Sequence, residues 1–235
     1  MSDKVWKTQE IRELCPNCIA IEAKAYIKAI KNKIDRILFA VHLLSTTDGS
    51  LPTNFEYTAL RSSQLKVEIY IESIVTNLHS LADVLAHVIN VIVLKPLQAE
   101  SQYLVGRHIT ISAVKTKLNN LSSLDPVKRQ YIAGITKEID TLIQSVEFKY
   151  IAAFTNTIKH RSLLDTELFI RYESGNLMDS GFRIDQFDYE SVHFPQTKCS
   201  IVAMDYRKKV IDLVFDVGNR INNYCRAEYI DNIQE

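Results

Sequence analysis

Between Tyr57 and Leu94 apolar side chains return at helical spacing along the whole segment: Leu60, Leu65, Ile69, Ile74, Leu78, Leu81, Leu85, Val88 and Ile92. Strand alternation does not produce this pattern. It predicts one long helix, or two joined by a bend, and an unbroken one would run about 55 Å at 1.5 Å per residue. Pro96 predicts its end, because proline cannot continue the hydrogen-bond ladder. A helix of that length must bury its apolar side against other elements.

Further helices supply those partners. Residues 3–14 predict a short polar helix, broken by Pro16 and Asn17. From Ile19 to Leu44 a stripe of Ala23, Ile27, Ile30, Ile34, Ile37, Val41 and Leu44 faces one way, with Lys24, Lys28, Lys31 and Asp35 opposite. Residues 45–52, STTDGSLP, predict a loop. A shorter helix over 110–121 carries Ile111, Val114, Leu118 and Leu121. Asp125 followed by Pro126 is a strong helix start, a capping carboxylate before a proline at the first helical position. That helix is expected to continue through Tyr131, Ile135, Ile139, Leu142, Val146, Ala153 and Ile158 to about Arg161.

The period then changes. Leu168, Ile170 and Tyr172 alternate with polar residues, ESGN at 173–176 suits a turn, and the phase shifts between Ile184 and Phe187 as at a bulge or a strand end. Residues 166–198 therefore predict a β-hairpin or small meander, and 202–228 return to helical spacing. With only 6 glycines and 5 prolines, the chain lacks the tight turns of an all-β fold. The expectation is a mainly α fold: a single domain over 1–235, an antiparallel bundle of about five helices. A small β-hairpin precedes the C-terminal helix and is packed on the bundle, since an isolated hairpin is marginal.

Charge and composition exclude some roles. Lys+Arg and Asp+Glu are equal at 28 each, which argues against a protein built mainly to coat nucleic acid or an anionic membrane. The N-terminal MSDKVWKTQEIREL has no uninterrupted apolar stretch and does not predict a secretory signal. The most apolar run, VLAHVINVIVL over 84–94, holds His87 and Asn90 and is too short to span a bilayer. The expectations are a cytoplasmic location and no membrane partner. Cys15 and Cys18 form CPNC, while Cys199 and Cys225 stand alone. Zinc would want a second close pair and a thioredoxin-like site a βαβ context, so CPNC predicts a turn before a helix, with reduced thiols.

Two polar stripes interrupt the apolar background. Glu72, Thr76, His79, Asp83, His87 and Asn90 line one face of the long helix. His79, Asp83 and His87 are one turn apart, but one helix offers an ion two such ligands rather than three, and neither ExxH nor HExxH occurs. No metal or other cofactor is expected, and His–Asp hydrogen bonds at the core edge account for the stripe. The second stripe lies in FTNTIKHRSLLD at 154–165. Lys159, His160 and Arg161 sit where a helix C-terminus favours positive charge, by about 0.3–1 kcal/mol each when exposed. Asn156, one turn before His160 on the same face, has no such explanation. Functionally, Asn156 would fix a substrate or water, His160 would move a proton, and Lys159 or Arg161 would hold a phosphate.

LHSLADVLAHVIN on one helix and FTNTIKHR on a later one, in this order of elements, resemble the HEPN-like helical bundles over roughly 55–165. These are bacterial and archaeal proteins common in toxin–antitoxin and phage-defence systems, many of them metal-independent ribonucleases and others non-catalytic. Their motif is an arginine, often followed by a polar residue, with a histidine four to six residues after the arginine. The pair assists attack of the ribose 2′-hydroxyl on the adjacent phosphate. The resemblance implies that His160 is the histidine and Asn156 the polar residue. Thr155 stands where arginine is expected, and Arg161 follows the histidine instead. Such bundles often pair as homodimers with the motif helices meeting at a cleft. Three functions stay open: RNA processing at His160, a non-catalytic module that dimerises or binds a protein, and a metal-dependent hydrolase on His79, Asp83 and His87 with Glu72 nearby.

Overall fold

The long helix exists as a single element. The computed structural model describes residues 4–48, 57–98, 103–121, 125–160, 165–174 and 176–230. Helix α3 covers Tyr57–Leu97 without a break. Its last turns widen into a π-helix at Asn90–Leu94 before a final turn at Lys95–Leu97. The proline acts as expected, one residue before the end. Pro96 has no N–H to offer the carbonyl of Ile92, four residues back, and the hydroxyl of Tyr229 donates to that carbonyl instead at 3.4 Å. By length and composition α3 could cross a membrane, but Leu78, Leu81, Leu85, Val88, Ile89 and Ile92 are all buried by the protein itself.

The fold is mainly α: among the described residues seven helices form a helical bundle, with a small antiparallel sheet inserted before the C-terminal one. Helix α1 is Thr8–Leu14 and α2 is Asn17–Asp48. The segment 45–52 is therefore not wholly a loop. Ser45, Thr46 and Thr47 turn their hydroxyls back onto the carbonyls of His42 and Leu43, at 2.8–2.9 Å, and the helix runs on to Asp48. Residues 49–52 lie outside the described residues. Helix α4, Ile111–Asn119, is capped by the Thr110 hydroxyl. Helix α5, Pro126–Gln144, is capped by Asp125, whose carboxylate accepts from the N–H groups of Val127 and Lys128 at 2.9 Å.

The expected helix from 126 to 161 is two helices. Ser145 is extended, and both its amide and its hydroxyl close back on the Leu142 carbonyl. A serine that satisfies itself locally competes with the helix ladder, and the chain restarts as α6, Val146–His160. Strands β1 (Thr166–Glu173) and β2 (Asn176–Ile184) pair antiparallel, and β2 also pairs with β5 (Thr197–Lys198). Strands β3 (Phe187–Tyr189) and β4 (Val192–Phe194) form a separate hairpin. Its two turn residues, Glu190 and Ser191, both have positive φ, the mirror-image turn whose twist suits a tight hairpin. The phase shift after Ile184 is thus a strand end. The register slips elsewhere, between Arg171 and Tyr172. Helix α7 starts at Cys199–Ile201, passes through a π-turn at Val202–Tyr206 and continues as Arg207–Tyr229.

The chain divides into two compact units. One comprises Met1–Lys33, Ser80–Ser145 and Val210–Glu235; the other comprises Ile34–His79 and Val146–Lys209. In the first, residues 4–15 lie along α7. Lys4 pairs with Asp216 at 2.5 Å, and the Trp6 indole N–H donates to Asn222 at 3.0 Å. Asn222 in turn donates to the Lys7 carbonyl and to Glu10, both at 2.9 Å. In the second, an aromatic cluster joins Tyr150 and Phe154 of α6 to Phe187 and Phe194 of the short hairpin and to Tyr206.

Candidate functional site

Helix α6 turns Phe148, Tyr150, Ile151, Ala153, Phe154, Thr155 and Thr157 inward. Among the residues left outside are Lys149, Ala152, Asn156 and Lys159, at steps of three, four and three, with His160 next; Val146 is exposed, and Glu147 and Ile158 are half-buried. Lys149 and Lys159 are exposed and Asn156 is half-buried. Two exposed ammonium groups thus flank the half-buried carboxamide of Asn156, which is one turn before the position of His160. Arg161 lies outside the described residues.

Thr155, the position at which the HEPN-like motif carries arginine, is fully buried. Its hydroxyl lies 3.4 Å from the Val75 carbonyl of α3. A guanidinium there would have to be desolvated in the core, so the departure from the motif is one of packing as well as of residue type.

The six-residue stripe on α3 does not act as one group. His79 is half-buried and stacks on Phe148, at the opposite end of α6 from His160. Phe148 and His160 are twelve residues apart, about 18 Å along a helix. His79 therefore does not assist His160. Glu72 is half-buried, and burial, with Glu68 beside it, holds its carboxyl above the usual range. Glu68 itself accepts from the Thr166 hydroxyl at 3.2 Å and faces Arg61 at 3.6 Å.

In the other unit His87 stacks on Tyr26, with ring centres 4.7 Å apart and planes within 13°. Burial lowers its pKa and the Asp83 charge partly offsets this. Its Nδ1 is buried with no hydrogen bond, so ring stacking holds this histidine where a His–Asp bond was expected. Asn90 is buried and donates to the Leu104 carbonyl at 3.2 Å. Among the described residues no three of His, Cys, Asp and Glu gather to hold a metal.

Two features had no accessible signal in the sequence. Leu65 and Ile69 were expected on the buried side of α3 but are 43% and 61% exposed. The core on this stretch is Val67, Ile71, Ile74 and Val75. Two residues on an α-helix are about 200° apart, so Leu65 and Ile69 point away from it. Cys225 does not stand alone either: its Sγ lies 3.3 Å from that of Cys15. None of the four cysteines is in a disulfide, and CPNC is the junction between two helices. No protein-family model, no curated protein sequence and no solved structure matches the chain.

Proposed function

We propose that this helical protein processes RNA in the manner that its resemblance to the HEPN-like bundles implies, through the accessible face of α6. The observation that carries the reading is the stripe of Lys149, Asn156 and Lys159 leading to His160 on a helix whose other residues are largely buried. Helix-end electrostatics accounts for Lys159 and His160 but not for the half-buried Asn156 a turn earlier. In this reading His160 takes the proton of a ribose 2′-hydroxyl, Asn156 orients the nucleotide, and Lys159 with Arg161 neutralises the phosphate. Purified protein incubated with mixed RNA is expected to cleave it with EDTA present. His160→Ala is expected to slow cleavage by about 10²–10⁴-fold, the usual contribution of a general acid or base, with an unchanged far-UV spectrum. Intact RNA after incubation with the wild-type protein would refute the reading.

A second reading rests on a different observation. Leu65 and Ile69 are exposed apolar neighbours one turn apart on α3, where a solvated helix face would be polar. This pair supports a module that pairs with a second copy or a protein partner. If two copies pair there, Leu65→Asp with Ile69→Asp is expected to convert a dimer into a monomer in light scattering, without loss of helicity. Wild-type protein that stays monomeric as concentration rises would exclude self-pairing.

A further inference from the structure

The thiols of Cys15 and Cys225 are 210 residues apart in sequence and 3.3 Å apart in space. Both are buried, Cys15 with 6% of its surface exposed. Cys15 directly follows α1, and Cys225 lies on the last turns of α7. The two close the foot of a seam whose upper contacts are Lys4–Asp216, Trp6–Asn222 and Glu10 with Asn222 and Arg226. A disulfide bond of about 2 Å is roughly 1.3 Å shorter than the present separation of the sulfurs. The hydrogen bond between the thiols divides the pair. It draws Cys15 down towards the thiolate and pushes Cys225 up, and burial also favours neutral Cys225. Cys15 is the less deeply buried of the two and the one an oxidant reaches first, and Cys225, 3.3 Å away, is placed to resolve the product. Cys18, three residues on, is exposed and is a separate thiol.

We propose that Cys15 and Cys225 form an oxidative modification site, a dithiol that a peroxide converts to a disulfide fastening the N-terminal segment to α7. The Cys15 thiolate attacks one oxygen of hydrogen peroxide, breaking the O–O bond, and becomes a sulfenic acid. The released hydroxide takes up the proton that the Cys15 thiol gave up. The Cys225 sulfur then attacks the sulfenic sulfur, its proton leaves with the departing hydroxyl, and water is expelled. Two thiols lose two electrons and one peroxide becomes two waters. The bond closes a loop of more than two hundred residues, which restricts the unfolded chain far more than the folded one.

The test uses full-length protein carrying Cys18→Ser and Cys199→Ser, so that only this pair can react. Treatment with a few equivalents of hydrogen peroxide, followed by alkylation, should give a mass 2 Da lower than the reduced protein. A cross-linked peptide should contain Cys15 and Cys225. Oxidised protein should unfold at a higher urea concentration and resist proteolysis within residues 4–15, and dithiothreitol should reverse both. Adding Cys225→Ala should abolish the loss of 2 Da and give instead a gain of about 16 Da, the sulfenic form at Cys15. A folded protein whose two thiols remain alkylatable after peroxide, while the urea-unfolded chain forms the bridge, would overturn the proposal and leave the pair as core packing. If Cys199→Ser impairs folding, the Cys18→Ser protein with peptide mapping gives the same distinction.

Discussion

Gly218→Ala is expected to destabilise the protein by about 2–4 kcal/mol. A Cβ at Gly218 would lie 2.2–2.6 Å from three atoms of the Trp6 indole, closer than any carbon contact allows. Intrinsic propensity points the other way, since alanine is better than glycine inside a helix by about 1 kcal/mol. The steric term wins because the ring is fixed from two directions. It is buried against α7, and its N–H donates to Asn222, itself tied to Lys7 and Glu10. Moving the ring therefore combines overpacking, about 1–3 kcal/mol, with loss of a buried hydrogen bond, about 1 kcal/mol. The decisive measurement is a double-mutant cycle in urea. In a Trp6→Ala background the same glycine replacement should become neutral or stabilising by up to about 1 kcal/mol. Equal losses in both backgrounds would show that the indole is not the cause.

Phe154→Ala is expected to cost about 3–5 kcal/mol, the range for removing a buried aromatic ring. Phe154 is buried, and its ring meets Phe187 edge-on at 6.0 Å and lies 6.4 Å from Tyr150. Phe187 in turn stacks on Phe194 at 5.0 Å, which holds β3 and β4 together across their two-residue turn. Strands of three residues are not stable alone, so this hairpin depends on the aromatic cluster of α6. The loss should therefore be local as well as global. Limited proteolysis should open the 185–196 stretch before the helices, and near-UV dichroism should fall more than far-UV. Phe154→Leu, which keeps most of the apolar volume, should recover well over half of the lost stability. Unchanged protection of 185–196 in Phe154→Ala would mean that the hairpin is held by something other than this cluster.

Both results depend on contacts between residues distant in the chain, and this divides what was legible in the sequence from what was not. Period alone located α2, α3, α4 and α7, and the change to alternation located β1 and β2, because 3.6-residue and two-residue repeats are local consequences of backbone geometry. The Asp125–Pro126 start was legible for the same reason, a cap being satisfied within a few residues. The shared face of Asn156 and His160 also follows from helix geometry.

Tertiary packing decided the rest. Apolar type could not say that Leu65 and Ile69 face outward while Val67 and Ile71 face the core, since all four fit a helix and only the neighbours choose the side. Ser145 could have continued the helix from 126, and its bonds to Leu142 show that it does not. That Thr155 faces inward, and that His79 meets Phe148 while His87 meets Tyr26, depends on what α6 and α2 bring against α3. Trp6 over Gly218 and Cys15 beside Cys225 leave no mark on any local pattern, because residues more than two hundred positions apart share no periodicity and meet only when the chain has folded.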